Sequence, residues 1–314
     1  VADYLTYLNL QDEIERGIKK AGGSLLSLVK STINMVYLNE IISCDPLHPL
    51  FWLVDFDDSL AAKAPATITA ITAANPGVVT CDDAHGFVEN DIVGLYNIVG
   101  MTELNYRMVK VGTVGTTTTA NDNFQLKDLD GTNINTSALT AYSSGGTVHH
   151  RGLTLATSGK NVQKILDCKW LGEGKEGFMS PITIDELKKS TLMDSFTARP
   201  KRYEQRKTYG STGTETNQLL WYNAADAIYP LKYWFVKRCS PLDGDTDVPN
   251  LPPQFHHAII AGALTRLAEN NAQVENAVIW PGIYRQQLEA IKTFNREYYD
   301  RHGGAPYRDA PYML

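Results

Sequence analysis

Cysteine is scarce and scattered in this chain. Cys44, Cys81, Cys168 and Cys239 form no C-x-x-C pair, and no histidine stands at ligand spacing from them, which points to structural thiols in a reducing compartment. Apolar runs of about 18 residues, the length of a membrane span, are absent, so no membrane insertion is expected. The start Val1-Ala2-Asp3 has no basic segment leading into an apolar one, and a soluble chain without a signal peptide is expected. Basic excess is missing too. A net charge of -6 and a pI near 5.7 argue against a dedicated duplex-DNA binder gripping phosphates. No G-x-S-x-G or other nucleophile motif occurs, and no enzyme activity is expected.

Three apparent ligand motifs fail on their chemistry. Gly172, Gly174 and Gly177 spell G-x-G-x-x-G, but Glu173 and Glu176 put negative charge where a pyrophosphate must sit. Pro181 also delays the helix that would offer its N-terminus. Asp243, Asp245 and Asp247 imitate the start of a calcium loop, yet Val248 replaces its glycine and Gln254 its bidentate glutamate. The pairs His149-His150 and His256-His257 diverge on a strand or helix and have no carboxylate or cysteine at ligand spacing. No metal and no cofactor are expected.

What the chain does have is a strong helical pattern near its end. Pro252-Pro253 opens it, and Phe255, Ile259, Ala263 and Leu267 follow on one face, with the small residues Ala258, Ala261 and Gly262 alongside. Small residues let another backbone approach, so this helix is expected in the middle of a helical packing. A further helix is predicted from about Ala272, kinked at Trp280-Pro281-Gly282 and resuming with Tyr284, Leu288, Ile291 and Tyr298 on one stripe. At the other end, Asn9 is predicted to cap a helix closed by Gly22-Gly23, and Ser24 a second one carrying Leu25, Val29, Ile33 and Val36. Their broad apolar faces call for the C-terminal helices as partners.

From Ala66 to Val148 composition turns to Thr, Gly, Asn and Val, and short strands are predicted at 66–72, 78–81, 91–98, 106–114 and 123–127. This insert carries eight carboxylates against Arg107, Lys110 and Lys127, the composition of a solvated outer module. Beyond it, 153–170 alternates as a strand. Thr183 and Glu186 have capping-box spacing before a helix at 184–193, and 219–222 with 229–236 read as a hairpin. Between them 199–209 reads as an exposed strand with two polar faces. Its Arg199, Lys201, Arg202, Arg206 and Lys207 could form a subunit interface, a plain solvated surface or a DNA contact. The tail, with two glycines and two prolines, cannot fold compactly, yet it carries Tyr307, Tyr312 and Leu314 as anchors for a groove on a neighbouring subunit or a partner protein; a frayed end is the alternative.

Two resemblances join these readings. The order Leu251-Pro252-Pro253-Gln254-Phe255-His256, an Ala-rich helix and an aromatic-bearing last helix is similar to the C-terminal half of bacteriophage head-to-tail adaptor proteins, and Ile33-Asn34-Met35-Val36-Tyr37 resembles their second helix. The insert, with Asn75-Pro76-Gly77-Val78-Val79-Thr80, His85-Gly86-Phe87, Asp91-Ile92-Val93, Gly100-Met101-Thr102-Glu103-Leu104-Asn105 and Tyr142-Ser143-Ser144-Gly145-Gly146-Thr147-Val148, is similar to the first catalytic-cysteine half-domain of ubiquitin-activating enzymes. In those enzymes the half-domain is a β scaffold, so Cys81 reads as a small buried thiol rather than a nucleophile.

The fold implied is α+β: a helical adaptor core with a β-hairpin or sheet, residues 1–65 and 149–314, carrying an inserted all-β barrel at 66–148. The adaptor resemblance implies a homo-oligomeric ring, commonly of twelve copies, that binds the portal protein and a tail tube or nozzle protein and passes double-stranded DNA. Its place would be the virion's head-tail junction, after assembly in the host cytoplasm. The alternative is a tail-associated structural protein that binds a receptor or glycan through the β insert.

Overall fold

In a computed structural model, residues 4–18, 25–45, 47–115, 122–155, 160–171, 177–182, 198–209, 215–270 and 274–301 are described. They group into two compact units, one of 1–55 with 236–314 and one of 56–235.

The first unit is helical. Helix α1 (Tyr7–Arg16) buries Tyr7, Leu10 and Ile14, and α2 (Leu25–Met35) runs on into a π-helical segment, Val36–Ile41. The α1 cap is Thr6 rather than Asn9. Thr6 Oγ1 accepts the Asn9 N–H at 3.3 Å while Asn9 Oδ1 accepts the Thr6 N–H at 3.0 Å, a reciprocal box in which the side chain at the third position is amide instead of acid. The helix also stops at Gly17, well before Gly22-Gly23. Pro253–Phe255 forms a 3-10 turn into α3 (His256–Glu269), whose Ala258, Ile259, Ala261, Gly262, Ala263 and Leu267 are buried, so the helices of the two chain ends do pack together. A Cβ at Gly262 would lie 2.5 Å from Val36 Cγ1 and 2.7 Å from Tyr284 Cε2; the missing side chain is what lets both press on the α3 backbone.

Helix α4 (Trp280–Arg301) begins where a kink was expected. Pro281 sits in its first turn, where the missing N–H costs nothing, and Val274 to Ile279 are bridge and turn rather than helix. Glu40 ties three elements together: it accepts Arg266 Nε at 2.8 Å and Arg266 Nη2 at 3.0 Å, and Tyr284 Oη at 2.9 Å. The acidic loop before α3 has a capping role. Asp247 Oδ2 accepts the N–H groups of Asp243 and Gly244, both at 2.8 Å, and the carbonyls of Asp247 and Asp245 accept the first N–H groups of α1.

The second unit contains a closed barrel. Strands β2 (Ala66–Ile71), β3 (Val78–Cys81), β4 (Ile92–Tyr96), β5 (Met108–Val114), β6 (Asn123–Lys127) and β7 (Thr147–Thr154) pair in the order β7-β2-β3-β6-β5-β4, and β4 closes on β7. Register shifts in three of the pairings bend the strands enough for so small a ring. Its core includes Val79, Cys81, Val93, Leu95, Phe124 and Leu126.

Strand β7 does not end with the barrel. Its second half pairs with β11 (Glu215–Tyr222), giving a run β1-β12-β8-β9-β10-β11-β7 with β1 (Val54–Ala62), β8 (Val162–Trp170), β9 (Phe178–Pro181), β10 (Arg202–Tyr209) and β12 (Tyr229–Lys237). A second core of Trp170, Tyr203, Leu219, Trp221, Tyr233 and Phe235 lies here. The expected boundaries at 65/66 and 148/149 therefore fall inside this unit, because β7 serves both the barrel and the sheet.

Three further expectations change. β11 and β12 form no hairpin, since β11 lies between β10 and β7 and β12 between β1 and β8. β10 is not an exposed strand: β11 pairs along its length, β9 pairs at Arg202 and Tyr203, and Tyr203 is buried. The strand β1 was not foreseen, because Asp55, Asp57 and Asp58 mask its alternation; Asp57 is buried and accepts the Tyr233 hydroxyl at 3.0 Å. The helix expected at 184–193 and the glycines at 172 and 174 lie outside the described residues.

Candidate functional site: the charged spine of β7

Three consecutive residues of β7, His149, His150 and Arg151, are buried although each carries a titratable or charged side chain. Alternation sends them to opposite faces. The carbonyl of Ala225 lies 3.1 Å from His149 Nδ1 and Thr147 Oγ1 lies 3.2 Å from Nε2. Burial lowers the affinity of His149 for a proton, with Arg151 adding to the effect and the Ala225 carbonyl opposing it. Arg151 is 1% exposed; its Nη1 donates to Tyr96 Oη at 2.6 Å, and its guanidinium lies 5.7 Å from the Tyr222 ring centre. The chain continues outward, for the Tyr222 hydroxyl donates to Glu204 Oε2 at 2.6 Å and Glu204 pairs with Arg206 at 3.1 Å.

His150 faces the barrel end. Its Nδ1 accepts the Lys63 backbone N–H at 3.0 Å, which leaves the proton on Nε2, 3.6 Å from Asp91 Oδ1. Asp91 Oδ2 accepts the Lys63 ammonium at 2.6 Å and the Val88 N–H at 2.9 Å. Burial alone would raise the Asp91 carboxyl, but the neighbouring His150 imidazole and the Lys63 charge outweigh it and hold the group below the usual carboxylate range. Trp221 meets the imidazole edge-on at 4.9 Å between ring centres and donates its indole N–H to the His150 carbonyl at 3.0 Å. The arrangement has the parts of a base and its orienter, but the lone pair of the imidazole is committed to a backbone N–H. A nearby proton donor would find no acceptor there. What the cluster does chemically is fix Lys63, the turn before β4 and the middle of β7 to one another.

The cysteines take no part in this cluster. Burial pushes the Cys81 thiol up to about 12 and the Cys44 thiol to about 11, and it raises the fully enclosed Cys168 as well. Among the described residues no group of three or more His, Cys, Asp or Glu could hold a metal ion, and no helix is long and apolar enough to cross a membrane.

The basic residues of 199–207 are spread along β10 and the approach to it. Lys201 and Lys207 are exposed, whereas Arg199, Arg202 and Arg206 are half-buried. Arg206 is held by Glu204, and Lys207 lies 3.4 Å from Glu215. Tyr307, Tyr312 and Leu314 lie outside the described residues. The buried cluster had no signal in the sequence beyond polar residues interrupting a strand, because which of two strand faces is enclosed depends on pairings far along the chain.

A family model described as the ubiquitin-activating enzyme E1 FCCH domain matches residues 74–151. The match begins in the turn before β3 and ends on Arg151, so it covers the barrel except β2 and the last residues of β7. No curated protein matches the chain.

Proposed function

We propose that this chain is a structural subunit of a bacteriophage virion, assembled as a ring between portal and tail through which double-stranded DNA passes. The observation that carries the reading is the helical unit: helices from both chain ends close on the small-residue helix α3 just after the Leu251-Pro252-Pro253-Gln254-Phe255 opening, and the resemblance to head-to-tail adaptor proteins rests on the order of these same elements. The barrel supports it from a second side. Its charged residues are enclosed and each is held by a neighbour, Asp91 beside Lys63 and His150 and Arg151 on the Tyr96 hydroxyl, as suits a rigid module held on a scaffold.

On this reading the ring is a homo-oligomer, commonly of twelve copies. Arg199, Lys201, Arg202, Arg206 and Lys207 lie at or near its subunit contacts, and Tyr307, Tyr312 and Leu314 reach a neighbouring subunit, the portal or a tail protein. Negative-stain imaging of the purified protein, with and without portal, tests it. Coaxial rings that stack on portal are the expected result. A monomer at every concentration that binds neither itself nor portal overturns the reading.

A further inference from the structure

The face of the sheet turned away from its aromatic core carries a row of cations and aromatic rings across four neighbouring strands. Lys232 on β12 holds its ammonium 3.9 Å from the Phe56 ring centre on β1 and 5.3 Å from that of Trp234. Trp234 in turn stacks on Phe178 of β9 with centres 6.1 Å apart and planes at 16°, and Lys169 of β8, paired in register with Phe178, sits 5.1 Å from its centre. Each of the five is half-buried. Their strand neighbours Leu231, Tyr233, Phe235, Cys168, Trp170 and Met179 fill the core behind, so the row occupies the opposite face. Rings already held by neighbouring cations lose little freedom on contact, which makes such a row a pre-ordered docking surface for an acidic, partly apolar partner.

The same chain displays that partner. In the loop between β3 and β4, Asp82, Asp83 and Glu89 are exposed and Val88 is 51% exposed. The loop is stiff: Phe87 and His85 are buried beneath it with ring centres 5.2 Å apart, Val88 N–H is held by Asp91, and Asp82 accepts the Thr67 N–H at 3.2 Å. Its charges are only loosely met within the chain, Glu89 lying 3.8 Å from Lys127. In the strand order the row and this loop fall on opposite flanks of β7. Two unlike surfaces on one subunit are what a head-to-tail contact needs, and such contacts form a ring when the rotation between copies closes.

We propose that the Lys169–Phe178–Trp234–Lys232–Phe56 row of one copy receives the Asp82–Glu89 loop of the next. The pairing rests on the ring reading above and names its subunit contact. A nucleic acid is the weaker occupant, because Lys232 covers the Phe56 face, Trp234 and Phe178 are stacked on each other, and two lysines make a short cationic track for a polyanion.

The test uses the full chain and compares Lys169→Glu with Lys232→Glu, Asp82→Lys with Asp83→Lys, and all four together, by sedimentation velocity and mass photometry with circular dichroism as the folding control. Each double reversal is expected to weaken assembly at least about tenfold, the size of losing a charge-assisted contact, and the fourfold variant to restore it. Lys232→Gln, the mildest change at the row, is expected to weaken assembly less and covers the case in which a reversal misfolds. Wild-type assembly with unaffected variants, or a fourfold variant that stays apart, overturns the pairing while the ring reading stands. Intact assembly with lost polynucleotide binding in the lysine variant overturns it in favour of nucleic acid. A wild type that never assembles removes the ring reading as well.

Discussion

In the barrel the enclosed charges gather on the two faces of one strand: Asp91, Lys63 and His150 meet on one and Arg151 bonds Tyr96 on the other, because β7 passes between β4 on one side and β2 and β11 on the other. In the helical unit the polar ties lie at seams between helices, as with Glu40, Arg266 and Tyr284, or Asp45 and Asn295, while the interior is closed by small residues on α3. The difference teaches where each unit is fragile. A barrel closed through one shared strand depends on enclosed charges staying paired, whereas packed helices depend on how closely backbones approach.

Asp91→Ala is expected to give the largest effect. It strips the Lys63 ammonium and the Val88 N–H of their common acceptor and His150 of the carboxylate beside it, and breaking a buried pair in this way costs about 3–5 kcal/mol. Urea unfolding followed by the fluorescence of Trp221, which touches His150, reads it. Acid should act on the same place in two windows. His85 and His149 bind protons more weakly folded than unfolded, chiefly through burial, so stability is full above about pH 6.5 and falls as pH drops below it. Asp91, depressed in the fold, adds its loss below about pH 4. A barrel midpoint that is flat from pH 7.5 to 5.5 would break the claim that enclosed histidines set its acid sensitivity.

Gly262→Ala is the matching probe of the helical unit and should cost less. Alanine gains up to about 1 kcal/mol over glycine in a helix, but the added methyl runs into Val36 and the Tyr284 ring, and overpacking of this kind costs about 1–3 kcal/mol. The net is a loss, and Val36→Ala in the same chain should recover part of it. If Gly262→Ala instead stabilises the protein, α3 is not pressed by its neighbours and the contrast between the units fails.

How much of this was legible depended on the range of the interactions. The stripes of α2 and α3 and the strands at 78–81 and 123–127 follow from local alternation and turn residues and appear where expected, whereas α1 starts earlier and ends sooner than its cap and glycine signals said. Pairing is not local. Nothing within 219–236 says that β11 joins β7 and β12 joins β1, so a hairpin was the natural but wrong inference. Polar alternation misled at β10, where Tyr203 is buried although Lys201 and Gln205 flank it on its own face. A proline inside a helical pattern has two meanings, and only the residues before Trp280 decide between kink and start. The buried charges were illegible for the same reason as the pairings: Asp91 and His150 meet across 59 positions of chain.

Thr6→Ala sharpens the comparison at its small end. Removing a hydroxyl cap costs about 0.5–2 kcal/mol in general. Here the loss should sit near 1 kcal/mol, because Tyr7 and Leu8 keep their N–H bonds to the carbonyls of Asp247 and Asp245, at 2.7 and 3.1 Å, when the box with Asn9 is gone. Thr6→Ser, which keeps the hydroxyl, should be close to neutral, and Asn9→Ala should lose the reciprocal half of the box. Helix α1 is too short to stand alone in water, so it owes its existence to the face it buries with Leu10 and Ile14. Urea midpoints of the three variants decide the matter. A loss above about 3 kcal/mol for Thr6→Ala would mean that the cap anchors the whole helical unit, and that this unit, like the barrel, hangs on a single polar knot.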